Sequence, residues 1–392
     1  MMMRLRSLFA VMILTQLLTA QPLEMLQLRE DGIAQWSYVD GDEFNESSIN
    51  EKAWRKSYPW GRSLGSNMLQ YYADDNTFLE EGLLKMEARK QDTLAKGIPY
   101  WDADKILNDG TKNEKVYNYT SGMLFSEKKY YQGYFEARLK TSKGKGYFPA
   151  FWLYGANPNE EIDIIEAKGE RPFSYHVDMH CPDGCSDYRK FLWWRTSSYG
   201  DWIDLDEDLT SEFHNYAGEW VPGEIVFYFD DQAKDQWAGN LEHPANVIFN
   251  LGISGREGGG SFDGGIDETT PFPQTFEVDY VRIYDRIDEG WKEKEEARLN
   301  KKGRKKKKNK KRVSKRVSAT ARIFQEDGNL RIETTGLAKF SFRLVNEEGV
   351  LLKELDQNTE GSIECNLSEI SDGVVWLRSR ANGFEATTKL GK

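Results

Sequence analysis

Residues 161–166 read Glu161-Ile162-Asp163-Ile164-Ile165-Glu166, a run in which acidic and branched apolar side chains alternate with one irregularity. In a regular β-strand, Glu161 and Asp163 share one face and Glu166 points to the other. A buried, unpaired carboxylate is costly, so we predict a one-residue β-bulge at Ile164–Ile165 that turns Glu166 back beside Asp163. Both isoleucines can then face the core, and the three carboxylates share one surface of the strand.

The sequence around this run predicts more strands. Apolar and polar residues alternate in residues 133–140 and 224–230, and Gly, Asn, Asp and Pro separate such runs from about residue 26 to residue 286. Period-two runs at this spacing are typical of all-β sandwiches, and no long helical pattern competes with them. We therefore predict one all-β domain over residues 26–286.

The N-terminus differs from this central part. Residues 1–20 have a cationic start, a short apolar run and a small residue at Ala20, which predicts a secretory signal peptide. The protein is accordingly expected to be secreted or attached to the cell surface. Disulfides are permitted there, and Cys181 and Cys185 flank a Pro-Asp-Gly turn. A bond between them is the preferred interpretation, and a metal site would need more ligands.

A charged linker is predicted over residues 287–318. Its first part, residues 291–299, fits one amphipathic helical segment, whereas residues 301–316 hold 12 Lys or Arg and no acid. Subtracting these 12 from 53 bases leaves 41 against 64 acids, so the rest of the chain has a charge of −23. A solvated linker is the preferred interpretation, and binding to nucleic acid, membrane or acidic polysaccharide is the alternative. Residues 319–392 resume the alternation and predict a small β-sandwich domain without chemistry of its own.

The spacing of the carboxylates predicts a reaction type. With the bulge, Glu161 and Glu166 are about four strand steps apart, roughly 12–13 Å between Cα atoms. Their side chains can lean together until about 5–6 Å separates the carboxyl groups, which suits the nucleophile and acid/base of a retaining glycosidase. Three such carboxylates must share protons, which leaves one terminal Glu ionised and the other neutral while Asp163 tunes the difference. An exposed acidic strand or a calcium site is the alternative.

Aromatic residues and histidines lie close to this run in the sequence. Residues 146–153 form an aromatic strand that could stack against sugar rings beside the carboxylates. In residues 174–180, alternation places His176, Asp178 and His180 on one face. If that strand neighbours the acidic one, His180 could bond to a sugar or to the acid; otherwise one histidine is on the surface and the other is satisfied by a buried partner.

Together these residues resemble glycoside hydrolase family 16, whose hallmark is Glu-x-Asp-x-x-Glu on a bulged strand. Five further segments resemble family motifs in the family's order: residues 119–122, 133–138, 149–152, 213–220 and 278–284. The resemblance covers about residues 36–285. It implies a β-jelly-roll with a long open cleft, endo-acting cleavage and retention of anomeric configuration.

The resemblance also implies roles for individual residues. Glu161 would be the nucleophile, Glu166 the acid/base and Asp163 the assisting carboxylate, with no cofactor for catalysis. Asp279 matches an aspartate that helps to bind a structural calcium in many members. We expect a monomer with a polysaccharide substrate and no nucleic-acid partner. The alternatives are a catalytically silent polysaccharide-binding protein and a transglycosylase on the same fold.

Two sets of residues indicate different sugars. Residues 69–72 resemble a stretch of the β-1,3-glucanases (laminarinases), although Ser66, Asn67 and Met68 stand where those enzymes have Asn-Asn-Glu. Arginines close to tryptophans, such as Arg62 and Arg195, would suit a sulfated sugar. The substrate therefore stays open between β-1,3-glucan and an algal galactan such as agar, porphyran or carrageenan. The predicted substrate contacts are Trp60, Arg62, Asn67, Phe148, Trp152, His180 and Trp194.

The C-terminal end has a resemblance of its own. Residues 367–392 resemble a type IX secretion sorting domain, which implies the export machinery as a partner. The alternative is a small carbohydrate-binding module in which Trp376 is a stacking platform.

Overall fold

The computed structural model describes residues 21–63, 68–96, 114–156, 159–187, 195–255, 265–293, 317–355, 361–370 and 374–391. The predicted signal peptide, most of the predicted linker, Asn67 and Trp194 lie outside the described residues. Almost every element is a strand, which confirms the all-β prediction. Within these ranges, no helix is long and apolar enough to cross a membrane.

The strands are numbered in chain order, and short 3-10 turns lie at Asp74–Asn76 and Leu367–Glu369. They are β1 Pro22–Arg29, β2 Gly32–Asp42, β3 Trp54–Arg55, β4 Gln70–Tyr72, β5 Thr77–Glu80, β6 Leu83–Lys96, β7 Glu114–Ser121, β8 Met123–Tyr130, β9 Gly133–Lys140, β10 Tyr147–Ala156, β11 Asn159–Ala167, β12 Ser174–Asp187, β13 Arg195–Asp204, β14 His214–Val221, β15 Glu224–Phe229, β16 Gln232–Trp237, β17 Gly239–Asn240, β18 Ala245–Ile253, β19 Gln274–Arg286, β20 Val317–Glu326, β21 Asn329–Gly336, β22 Ser341–Val345, β23 Leu351–Leu355, β24 Gly361–Asn366, β25 Val375–Ala381 and β26 Phe384–Leu390.

Two sheets face each other across the main hydrophobic core. The first sheet contributes β16-β15-β14-β9-β19 with β6 beside β19, and the second runs β13-β12-β11-β10-β18-β8-β3. Their inward side chains form one cluster, in which Phe151 and Phe249 stack with ring centroids 4.6 Å apart. This two-sheet arrangement is the predicted jelly-roll sandwich.

The predicted bulge lies in β11. Asp163 pairs with Asp178 and Glu166 with His176, so three residue steps on β11 match two on β12. The register with β10 shifts at the same place. Ile164 and Ile165 are each 1% exposed and belong to the main core. The bulge therefore keeps both isoleucines inside and leaves Glu166 on the opposite face, as predicted.

The C-terminal part is a second β-sandwich that includes the start of the chain. β1 pairs with β20, so the first sheet continues through β2-β1-β20-β21-β24, and the third sheet, β23-β22-β25-β26, packs against this extension. Leu26 and Leu28 of β1 lie in the same core as Phe342 and Leu377. The predicted boundaries at residues 26 and 319 therefore differ from the structure, because residues 319–392 alone lack the leucines that complete their core.

The other face of the β1–β2 hairpin packs on the outside of the larger sandwich. Met25, Ala34 and Trp36 join side chains of β9, β14, β15 and β19 in a small apolar cluster. Trp36 and Tyr134 lie with ring centroids 5.4 Å apart in this cluster. Trp291, where a short helix begins, packs against the same cluster. The rest of the predicted amphipathic segment lies outside the described residues.

Two buried ion networks accompany this contact. Arg29 lies 2.8 Å from Glu219. Arg322, on β20, lies 2.8 Å from Asp231 and also donates to Glu136. Buried charges lose their hydration and require well-placed partners. The two sandwiches are thus joined by matched polar groups as well as by apolar packing.

Candidate active site

The three acids of β11 lie on the face of the second sheet that points away from the main core, which we call the site face. Glu161 and Glu166 are partly exposed, whereas Asp163 is 2% exposed. The bulge produces this arrangement by placing Glu166 on the same side as Asp163. The three side chains predicted to share one face therefore do so.

The neighbouring strand β12 adds two histidines and a fourth carboxylate. His176 Nδ1 lies 3.2 Å from Glu166 Oε2, and His180 Nε2 lies 3.8 Å from Asp163 Oδ2. Asp178 Oδ2 lies 3.7 Å from His176 Nδ1 and 3.5 Å from His180 Nε2. The predicted face of β12 thus meets the acidic face of β11, and His180 is 42% exposed there.

Burial governs the electrostatics of these acids. Burial, together with the charge of Glu166, raises the pKa of Glu161 to about 8. Burial and the charge of Glu161 raise the pKa of Asp163 well above its ordinary value. The cluster therefore retains a shared proton at neutral pH. Our expectation that the nucleophile Glu161 is ionised differs from this substrate-free state, because the partly exposed Glu161 loses much of its hydration and lies beside Asp163 and Glu166.

An aromatic group supports the site face. Tyr58 stacks on Trp60 with centroids 4.9 Å apart, and both rings contact the group that contains Trp152 and Tyr154. Trp152 is only 7% exposed, and its indole N–H donates to Asn250 at 2.7 Å. The structure therefore places Trp152 beneath the surface, paired with Asp163 across the strands, and not as the exposed platform we predicted.

Trp60 and Phe148 remain the partly exposed aromatic rings among the predicted contacts that the structure describes. Phe148 lies opposite Gly252 in β18. A Cβ at that glycine would approach the Phe148 ring to 3.1 Å, so the glycine makes room for the ring. Both aromatic residues could contact a sugar ring.

Arg62 has a structural role that the sequence did not reveal. Its guanidinium lies 2.7 Å from Asp74 and donates to the Tyr72 carbonyl oxygen at 2.9 Å. These bonds hold Arg62 against the C-terminal end of β4. The guanidinium is therefore already paired with a carboxylate, which argues against the predicted contact with a sulfate group. The side chain of Arg195 lies outside the described residues.

Asp279, the predicted calcium ligand, is paired with an arginine, and a structural calcium stays a prediction. The Asp279 carboxylate lies 2.5 Å from the guanidinium of Arg138, so a calcium ion would compete with this arginine for the carboxylate. Among the described residues, the groups of acids, histidines and cysteines close enough to share a metal do not include Asp279. The predicted Cys181–Cys185 disulfide is formed, while Cys365 is buried and free.

Several residues of the site were not predicted. Asn250 and Tyr58 reach it from β18 and from the loop after β3, and their sequence neighbourhoods carry no signal of this. Burial, the neighbouring Tyr72 and the charge of Glu161 raise the pKa of Tyr58 well above its ordinary value, so it stays a hydroxyl donor. Only spatial contact identifies these residues.

Comparison with known proteins decides the family. The family model described as glycosyl hydrolases family 16 matches residues 70–281, more than half of the chain. The chain belongs to glycosyl hydrolases family 16. This family 16 protein is therefore a glycoside hydrolase that acts on O-glycosyl bonds with retention of configuration.

Several relatives of this family 16 chain are known as glucanases. It is 29% identical over 283 residues to a beta-glucanase of Rhodothermus marinus, covering 65% of this chain and 87% of that protein. It is 27% identical over 269 residues to a glucan endo-1,3-beta-glucosidase of Cryptopygus antarcticus, covering 62% and 89%. The structure of an endo-beta-1,3-glucanase from Pyrococcus furiosus aligns with a TM-score of 0.52 and 30% identity, covering 65% of this chain and 96% of that one.

Proposed function

We propose that this family 16 enzyme is an endo-acting hydrolase of β-1,3-glucan, with Glu161 as nucleophile, Glu166 as acid/base and Asp163 as the assisting carboxylate. The observation that carries the proposal is the bulge that brings these acids to one face with a shared proton. The relatives named above, which are β-glucanases, support the substrate class.

The charge of the site favours a neutral glucan over a sulfated galactan. Four carboxylates lie on the site face of β11 and β12, namely Glu161, Asp163, Glu166 and Asp178. They would repel sulfate esters, and Arg62 is already paired. Porphyran and carrageenan, which carry sulfate esters, are thus the less favoured substrates.

The proposed reaction has two steps. Glu161 attacks the anomeric carbon while Glu166 protonates the leaving oxygen, which gives a covalent glycosyl-enzyme. Glu166 then takes a proton from water, the water oxygen attacks the anomeric carbon, and Glu161 leaves as a carboxylate. The positive charge that develops at the anomeric carbon favours ionised Glu161, so the shared proton is expected on Glu166 in the reacting complex.

The partly exposed residues around the acids would bind the sugar chain. Trp60 and Phe148 would stack on sugar rings, and the His180 imidazole would hydrogen-bond a hydroxyl group. Trp152, which is only 7% exposed and lies opposite Asp163 in the register, would form part of the floor beneath the sugar. Asn67 and Trp194 remain predicted contacts.

A polysaccharide panel tests the proposal. Laminarin, mixed-linkage β-glucan, agarose, porphyran and carrageenan would each be incubated with the wild type and with the Glu161→Gln and Glu166→Gln variants. We expect wild-type oligosaccharide release from laminarin and at least a roughly 1,000-fold loss in both variants, whose melting temperatures serve as the fold control. Oligosaccharide release from a galactan alone would overturn the assignment of β-1,3-glucan as the substrate. Binding of a polysaccharide without cleavage would support a catalytically silent binding protein.

Transglycosylation uses the same carboxylates and differs in the acceptor. If an added laminari-oligosaccharide outcompetes water, elongated products will appear with laminarin as donor. If the added acceptor is recovered without elongation while laminarin is shortened, hydrolysis is the main reaction. We propose hydrolysis.

We further propose that residues 1–20 direct export and that the C-terminal sandwich engages a type IX export machinery. The resemblance of residues 367–392 supports this, while the partly exposed Trp376 keeps a sugar-binding role as the alternative. Full-length chains and chains truncated at residue 318 would be compared for activity in the culture medium of a host with that machinery. Because the truncation removes most of β20 and uncovers Leu26 and Leu28 of β1, the activity of each chain inside the cells serves as the fold control. Pull-down of both chains by insoluble glucan would separate export from sugar binding, because only a sugar-binding role predicts weaker pull-down of the truncated chain. Size-exclusion chromatography with light scattering would test the expected monomer.

A further inference from the structure

We propose that Asp178 is a positioning residue that holds the inward nitrogens of His176 and His180 as N–H donors, one toward Glu166 and the other toward Asp163. The inference rests on the proposed roles of Glu161 and Glu166 and adds a fourth carboxylate to their machinery. Asp178 itself does not touch the reacting bond. It acts through the two imidazoles.

The geometry places Asp178 at the centre of a row of ionisable groups. One of its oxygens lies 3.7 Å from His176 Nδ1 and 3.5 Å from His180 Nε2. The same two nitrogens lie 3.2 Å from Glu166 and 3.8 Å from Asp163. Each imidazole nitrogen therefore lies between two carboxylates. A nitrogen in that position is best occupied by a proton, because a lone pair there would face the Asp178 carboxylate.

The neighbouring strand β13 has a glycine where it faces this arrangement. Gly200 of β13 pairs with Asp178. A Cβ at Gly200 would lie 2.6 Å from His176 Cε1 and 2.8 Å from Asp178 Oδ2. A side chain at position 200 would therefore collide with the His176–Asp178 pair. The backbone N–H of Met179 also donates to Asp178 Oδ1 at 2.7 Å, which fixes the carboxylate.

Other groups around Asp178 are consistent with an anionic carboxylate flanked by N–H donors. On β11 it faces Asp163 and Glu166, and on β13 Ser198 and Trp202 flank Gly200 on the same face. The cations near this edge are Lys168 and Arg171, which lie over the Trp202 ring at 5.7 and 4.3 Å. Among the described residues, the two histidines are thus the donors that directly contact Asp178 through their side chains.

Burial raises the pKa of Asp178, and the charges of His180 and His176 oppose that rise. The carboxylate and the imidazoles are therefore energetically coupled as well as close. Asp163 Oδ2 is buried and has no hydrogen-bond partner within 3.5 Å, so the nearby His180 is the donor that a small rotation would bring into range.

This arrangement has a consequence for the reaction. When Glu166 gives its proton to the leaving oxygen, a carboxylate forms 3.2 Å from His176 Nδ1. An N–H held there by Asp178 stabilises that carboxylate at the moment it forms. Without Asp178 the imidazole can present a lone pair instead, and proton transfer from Glu166 becomes less favourable.

The first test reads the histidines directly and requires no activity. The chain has four histidines, so nitrogen NMR of the imidazoles is readily assigned. In Asp178→Asn we expect the nitrogen signals of His176 Nδ1 and His180 Nε2 at neutral pH to move toward the range of an imidazole nitrogen without a proton, with the signals of His214 and His243 unchanged. Asp230→Asn is the matched control, because Asp230 lies 2.8 Å from His214. This control variant should change the nitrogen signals of His214 alone.

The second test is kinetic. Asp178→Asn should lower kcat for laminarin about tenfold with a smaller change in KM, and should barely affect a dinitrophenyl β-glucan oligosaccharide whose leaving group needs no acid. Unchanged nitrogen signals for His176 Nδ1 and His180 Nε2 would overturn the proposal. So would an equal loss of kcat on both substrates. If the wild type cleaves neither substrate, the proposed function fails, and the NMR result still decides the role of Asp178 toward the histidines.

Discussion

At the residue scale, the acidity of the site depends on how deeply each carboxylate is buried. Glu161 has a pKa raised to about 8 by burial and by the charge of Glu166. Because the folded value lies above the unfolded one, the protonated form stabilises the fold at low pH. That contribution is lost as the pH rises from the unfolded value through about 8.

Glu161→Gln is therefore expected to stabilise the protein at pH 8 and to have little effect at pH 4.5. The gain should be about 1–3 kcal/mol, below the full value for such a shift because the cluster shares its protons. Urea unfolding at both pH values measures it, with the exposed Glu364→Gln as control. A variant less stable than the wild type at pH 8 would contradict the assignment.

The same shared proton predicts the alkaline limb of the activity profile. Above about pH 8 the Glu161–Asp163 pair loses the proton that the cluster must supply to the leaving oxygen. We expect kcat/KM for laminarin to fall there. A profile that stays flat to pH 10 would show that the acid draws its proton from elsewhere.

At the element scale, short-range alternation was enough to place the acids. The bulge followed from residues 161–166 alone, because a regular strand would bury Glu166 and expose Ile165. The pairing of β11 with β12 put His180 where it was expected. The burial of Trp152 could not be predicted, because Asn250 and Tyr58 cover it from distant parts of the chain. Likewise, nothing in the local sequence showed that Arg62 pairs with Asp74.

Gly200→Ala tests how tightly β12 and β13 define the site. The new Cβ would lie 2.6 Å from His176 Cε1, so the imidazole must leave its present position beside Glu166. We expect roughly a tenfold or larger loss of kcat and about 1–3 kcal/mol of lost stability. Gly252→Ala, with a closest approach of 3.1 Å to the Phe148 ring, is the milder control. Equal kinetics for both variants would show that His176 has room to spare.

At the scale of the whole molecule, the two sandwiches share the first hairpin of the chain. The sequence predicted strands in residues 319–392, but the β1–β20 pairing joins residues about three hundred positions apart. Alternation within a strand does not say which distant strand it pairs with. The leucines of β1 therefore seemed to belong to the nearer domain, whereas they complete the far one.

Arg322→Met tests the contact between the sandwiches. Burial alone would raise the pKa of Asp231, yet Arg322 holds it below its ordinary value. Removing the guanidinium leaves Asp231 and Glu136 buried without their cation, which should cost about 3–5 kcal/mol in urea unfolding above pH 5. Arg343→Met, which breaks an exposed pair with Glu354, should cost less than about 1 kcal/mol.

The Arg322 effect should shrink on acidification, because the contribution of a carboxylate with a lowered pKa is lost as the pH falls through that value. A loss for Arg322→Met no larger than that for Arg343→Met would mean that the ion network does not hold the sandwiches together.

The pairing of Glu161 with Glu166 as nucleophile and acid/base is tested most directly by azide rescue. Glu161→Ala and Glu166→Ala would each be given a dinitrophenyl β-glucan oligosaccharide with sodium azide, and the glycosyl azides formed would be identified by NMR. The account predicts an α-glycosyl azide from Glu161→Ala, because azide enters from the side of the missing nucleophile, and a β-glycosyl azide from Glu166→Ala. The opposite anomers, or no azide product from either variant, would contradict it.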